Sequence, residues 1–179
     1  MIEKKGYKAA SVLAVMAIVL SPVAASAASS NTTVQATVAS VISVSSTPTV
    51  AISVTPAVGG VEATANDTVS VDSNDPDGYN LTLENDATLT MSGPSAATLA
   101  KTTGTYGTPT ALINNSWGYR LSGFTAGTYA GVEDAAQNIK STTATAAGDT
   151  TIVTYGVKVD TTKPAGVYSD SVTYTATVK

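Results

Sequence analysis

Histidine and cysteine are both absent from this chain. Without histidine there is no side chain whose ordinary pKa lies near neutrality, and the commonest general base is missing. Without cysteine there is no thiol nucleophile, no soft metal ligand and no disulfide, so the fold must be held by packing and hydrogen bonds alone. Large aromatic rings are scarce, with one Trp, one Phe and eight Tyr in 179 residues. Charge is scarce too, with 9 basic and 13 acidic side chains and a net charge of −4. Beyond the first eight residues no basic run or stripe occurs. A nucleic-acid backbone needs such a footprint, so that class of partner is set aside.

The first residues read as an export label. Lys4, Lys5 and Lys8 form a positive start, Ala9–Leu20 is an unbroken run of small and apolar residues, and Pro22 breaks it. Ala25-Ser26-Ala27 has the small-residue pattern accepted by signal peptidase. The run is short for a bilayer span, and polar sequence follows directly. Residues 1–27 are therefore expected to be a signal peptide and 28–179 a single secreted domain with no membrane span. An uncleaved N-terminal anchor is the alternative.

From Thr32 onward apolar residues recur with period two rather than 3.6. Val50, Ile52 and Val54 alternate with Ala51, Ser53 and Thr55, and Pro56 ends the run. Val69 and Val71 precede the turn cluster Ser73-Asn74-Asp75-Pro76-Asp77-Gly78, after which Tyr79, Leu81 and Leu83 alternate with polar residues. This pattern predicts a hairpin. A second is expected from Val153–Val159, a turn over 160–166, and Tyr168–Val178. Residues 85–110 read as a looser connection with one short strand over Ala87–Met91. The sum is an all-β fold, an antiparallel, immunoglobulin-like sandwich of about seven to nine strands.

Two segments carry a family likeness. Gly78-Tyr79-Asn80-Leu81 follows a polar turn, and Pro164-Ala165-Gly166-Val167-Tyr168 leads into Ser171-Val172-Thr173-Tyr174-Thr175-Ala176. Together they distantly resemble the WxL-type domains of bacterial cell surfaces, with Tyr79 and Tyr174 where that family has tryptophan and Ala176 where it has the second leucine. The resemblance implies a WxL-like sandwich and non-covalent attachment to a cell-wall polymer or to other surface proteins. Glycine-x-tyrosine endings of this kind also resemble those of secreted pilus subunits.

Three places carry candidate chemistry. Asp72, Asn74, Asp75 and Asp77 cluster oxygen ligands before Gly78, the donor type that calcium takes; a solvated turn is the competing reading. Trp117, Tyr119 and Arg120 lie beside Asn114, Asn115, Phe124 and Tyr129, which suits stacking on a sugar ring or, alternatively, core packing. Val34, Ala36 and Val38 alternate, as do Ile42 and Val44, with a phase break near Ala39-Ser40. Residues 28–48 are therefore either the first strand of the domain's own sheet or a strand exchanged between copies. The acidic doublet Glu133-Asp134 would point to opposite faces of a strand, so no catalytic residues and no cofactor beyond calcium are assigned. The expected role is a non-catalytic structural or attachment module, secreted and associated with the cell surface. A subunit assembling by strand addition and a carbohydrate-binding module are the alternatives.

Overall fold

The computed structural model describes residues 26–86 and 90–179. The expected export label lies almost entirely outside the described residues, as does most of the strand expected over Ala87–Met91. Contacts divide the chain into two units, Met1–Thr37 and Val38–Lys179. In the first, residues 26–37 have no regular secondary structure and are exposed.

The second unit is all-β. Its strands, among the described residues, are β1 (Ile42–Ser45), β2 (Val61–Ser73), β3 (Tyr79–Asn85), β4 (Thr90–Ser92), β5 (Thr98–Lys101), β6 (Ser116–Arg120), β7 (Gln137–Ser141), β8 (Ala146–Val159) and β9 (Val172–Val178). They form a six-stranded sheet in the order β1-β2-β8-β6-β5-β4 and a three-stranded sheet in the order β7-β3-β9. Val69, Val71, Val153, Tyr155, Val157 and Trp117 of the first share one buried cluster with Tyr79, Leu81, Leu83 and Ile139 of the second. The apolar rows of the two sheets therefore meet in a sandwich-like core.

Both expected hairpins are corrected by this topology. β2 and β3 belong to different sheets, and so do β8 and β9. The turns after Ser73 and Val159 carry the chain across the core rather than back along the same sheet. Alternation explains why the two arrangements look alike in sequence: it reports which face is buried, not whether the next strand lies beside or opposite. Tyr155 and Tyr174 meet across the core in this way, with hydroxyl oxygens 2.8 Å apart.

Two further expectations change. The sheets are not wholly antiparallel, because β5 and β6 pair in parallel, Ala100 with Ser116 and Lys101 with Trp117. The long excursion of residues 102–115 returns the chain in the same direction, as a parallel pair requires. Val50, Ile52 and Val54 pack half-buried against the core, but residues 48–56 join no ladder. Within the segment 28–48, only Ile42–Ser45 forms a strand, and it pairs with its own β2, Ile42 against Ser73 and Ser45 against Ser70.

A second, smaller packing site lies on the outer face of the large sheet. Gly118 and Gly156 are register partners in β6 and β8. Their missing side chains leave a slot, and a Cβ on Gly156 would sit 2.5 Å from the Tyr129 ring and 3.2 Å from Leu112. Tyr129 and Leu112, 1% and 3% exposed, lie outside the main core cluster. The loop carrying them is stitched down by paired backbone bonds between Thr110 and Tyr129 and between Tyr119 and Ala130.

Candidate functional site

The turn between β2 and β3 is a clasp on the incoming chain. Asn74 accepts a hydrogen bond from the Val41 amide (2.7 Å) and donates Nδ2 to the Ala39 carbonyl (2.9 Å). Its backbone N–H donates to the Val41 carbonyl at 3.2 Å. The Ser40 hydroxyl donates to Asp75 Oδ2 at 2.6 Å, and the Asp77 amide donates to Oδ1 at 2.9 Å. The Ser40 hydroxyl, then the Asp77 amide, hold the Asp75 carboxyl below its ordinary range. Asp72 faces elsewhere and accepts from the Gly148 amide at 2.6 Å. Asp72, Asn74 and Asp75 thus direct oxygens at amides and a hydroxyl of their own chain. Among the described residues no three acidic side chains converge as a metal group. Gly78, at φ +87°, closes the turn with its Cβ position against the Thr142 carbonyl, a place only glycine can occupy.

The phase break at Ala39-Ser40 coincides with the clasp. Before it, the alternating row is open to solvent, with Val34 91% and Val38 82% exposed.

The aromatic neighbourhood divides between two faces. Trp117 and Tyr119 point into the core and are each 1% exposed, whereas Arg120 lies on the other face with its guanidinium 5.8 Å from the centre of the Tyr129 ring. No ligand can stack on Trp117 or Tyr119 without opening the core, so packing is the role in which the structure places them. Tyr129 donates its hydroxyl to Glu62 at 2.5 Å. Burial, reinforced by that carboxylate and opposed by Arg120, pushes the phenol up to about 12.

What reaches the surface from this region is a groove of about 780 Å³. Tyr106, Leu121, Phe124 and Ile152 supply apolar walls, and Ser122 and Thr125 supply hydroxyls. Tyr106 and Phe124 meet edge to face, with ring centres 5.8 Å apart. Sequence reasoning missed Tyr106 because it stands alone in a Gly, Thr and Pro loop, without periodicity to place it.

Other carboxylates serve the frame. Lys140 donates to Asp149 at 2.7 Å and Tyr79 donates to its second oxygen at 2.8 Å. The lysine is the main reason the Asp149 carboxyl is held low. Asp160 collects the Thr162 hydroxyl and amide together with the side-chain amides of Asn115 and Asn114, and these lower it to about 2. That cluster holds Asn115 at φ +63° where β6 begins. Glu133, from the acidic doublet, pairs with Lys101. Asp67 is only 2% exposed and accepts from the Thr47 amide at 2.9 Å.

The two segments that resemble WxL-type domains are neighbours, since β3 and β9 pair with Tyr79 opposite Val178 and Leu83 opposite Tyr174. Comparison with family models, curated proteins and solved structures finds no match.

Proposed function

We infer that this chain is a non-catalytic structural module of the bacterial cell surface, a secreted domain of the WxL-like, immunoglobulin-like kind. The observation behind this reading is the clasp. Asn74 and Asp75 reach back more than thirty residues to grip Ala39–Val41, so the start of the sandwich unit is held by side chains. The remaining polar groups support the same reading: Asp149, Asp160 and Glu62 each hold one strand or loop to another. A domain outside the cell, without disulfides, gains protease resistance from loops pinned in this way.

The test is retention of the purified protein on isolated Gram-positive cell walls. Saturable retention supports a wall-attached module, and a protein that stays in solution at every wall concentration refutes attachment. A carbohydrate-binding reading has one observation of its own, the aromatic groove at Tyr106 and Phe124. Aromatic walls with hydroxyls at the rim suit the apolar and polar faces of a sugar ring. In that reading Tyr106→Ala abolishes retention while the fold is kept.

A further inference from the structure

We propose that residues 32–38 of one copy add as a strand to the free edge of β9 in a second copy. This goes beyond a surface module, which need not associate with itself.

The acceptor is defined by the ladder. Lys179 donates to the Gly78 carbonyl (3.2 Å) and Asp86 to the Ser171 carbonyl (3.1 Å), so the odd-numbered residues of β9 bond to β3. The N–H and C=O groups of Val172, Tyr174, Ala176 and Val178 therefore point away from β3. They make no backbone bond to another described residue. The same four residues lie opposite Asn85, Leu83, Leu81 and Tyr79, on the core face. Yet Val172, Tyr174 and Ala176 are only half-buried and Val178 is 39% exposed, whereas Tyr79, Leu81 and Leu83 are at most 1% exposed. Along this edge the core is covered less completely than under β3.

The other sheet edges are guarded in ordinary ways. β1 and β4 have four and three residues. β7 carries Lys140 beside an irregularity in its register with β3. β9 has seven residues, with no charge, proline or bulge. β1 passes close to β9 but belongs to the other sheet.

The donor matches this edge. Thr32–Val38 has the same length as β9 and likewise lacks charge, proline and glycine. Val34, Ala36 and Val38 form one row, exposed in the monomer, while Gln35 and Thr37 form the polar row. Pairing would satisfy up to eight backbone groups on β9 and extend its half-covered apolar row. The clasp sets the geometry: it grips residues 39–41 through Asn74 and Asp75, just before Gly78 bonds Lys179 at the end of β9. Donor and acceptor are different surfaces, so the contact is head-to-tail and propagates into chains.

Light scattering coupled to size-exclusion chromatography tests this with two full-length variants. Val34→Lys with Val38→Lys disables the donor at exposed positions. Ala176→Pro disables the acceptor, removing an outward N–H that β3 does not use; Val178→Lys serves if the proline variant fails to fold. Wild type is expected to show mass rising with concentration, and each variant to raise the concentration for association at least about tenfold. Mixed, the donor-disabled and acceptor-disabled variants should form a 1:1 dimer, since one working donor meets one working acceptor. A wild type that stays monomeric, or variants that fail to pair when mixed, overturns the proposal; the latter is the result expected if residues 48–56 or the tail of the same copy cover the edge. Wall retention by a strictly monomeric protein would remove strand addition and leave the structural reading intact.

Discussion

Replacing Gly156 by alanine is expected to destabilise the protein through one ring, Tyr129. A new Cβ would sit 2.5 and 2.9 Å from two ring carbons and 3.2 Å from Leu112, where carbon atoms ordinarily rest at about 3.5–4.0 Å. The ring would have to retreat by about 1 Å. It cannot do so freely: its hydroxyl is held by Glu62 at 2.5 Å, and its backbone is bonded to Thr110 in both directions. Overpacking of this kind costs about 1–3 kcal/mol, and the gain from replacing a strand glycine returns about 0.5–1 kcal/mol. A net loss of about 1–2 kcal/mol lowers Tm by about 2–8 °C for a domain of this size. Thermal unfolding followed by circular dichroism reads this directly. The control is the same substitution in a Tyr129→Ala background, where the slot is empty and Gly156→Ala should be neutral or slightly stabilising. Equal losses in both backgrounds would refute the argument, because the cost would then lie in the strand and not in the ring above it.

Two further predictions concern protons. Because Asp75 is held below its ordinary carboxylate range, its contribution to the clasp is complete above pH 3.8 and fades as pH falls through the lower folded value. Hydrogen exchange at the Val41 amide should accelerate in that window, and Asn74→Ala should accelerate it at neutral pH; an exchange rate unmoved by either change would break the link between clasp and chain. At the alkaline end, burial raises Tyr79, Tyr119, Tyr155 and Tyr174 above 10, with Asp149 adding to the rise at Tyr79. Their stabilisation is complete below pH 10 and is lost as the unfolded phenols ionise, so absorbance at the phenolate band should rise in two steps, the later one coinciding with loss of β signal.

The core was legible where the pattern was long. Val69, Val71, Tyr79, Leu81, Leu83, Val153, Tyr155, Val157 and Val159 are all buried as their period-two alternation requires. The partner of each strand was not legible, because facing strands and adjacent strands carry the same alternation. The short strands β5 and β7 escaped because four or five residues with Thr, Gln, Lys and Ser among them give no recognisable row, whereas β4 overlaps the strand expected over Ala87–Met91. At the candidate sites, the turn cluster 72–78 was visible as chemistry, but its target lies more than thirty residues away, at Ala39–Val41. Trp117 illustrates the converse: its identity left a ligand platform and core packing both open, and its burial in β6, with Tyr119 on the same inward face, shows that it packs.

The crossing turns also dictate the order in which the chain can become a protein. Besides its short ladder with β1, β2 pairs along its length with β8, Val61 opposite Val159, and β3 pairs with β9, Tyr79 opposite Val178. Even the nearest partners in these ladders are remote, Ser73 with Ala146 in one and Asn85 with Val172 in the other, so each pairing first closes a loop of about seventy to ninety residues. Contacts this remote in sequence place the fold among the slow ones. A chain that threads through an export channel must stay unfolded until it has passed. In the proposed role as an exported module, strand order would favour that delay: β8, which joins β2 to β6 in the larger sheet, comes next to last among the described strands.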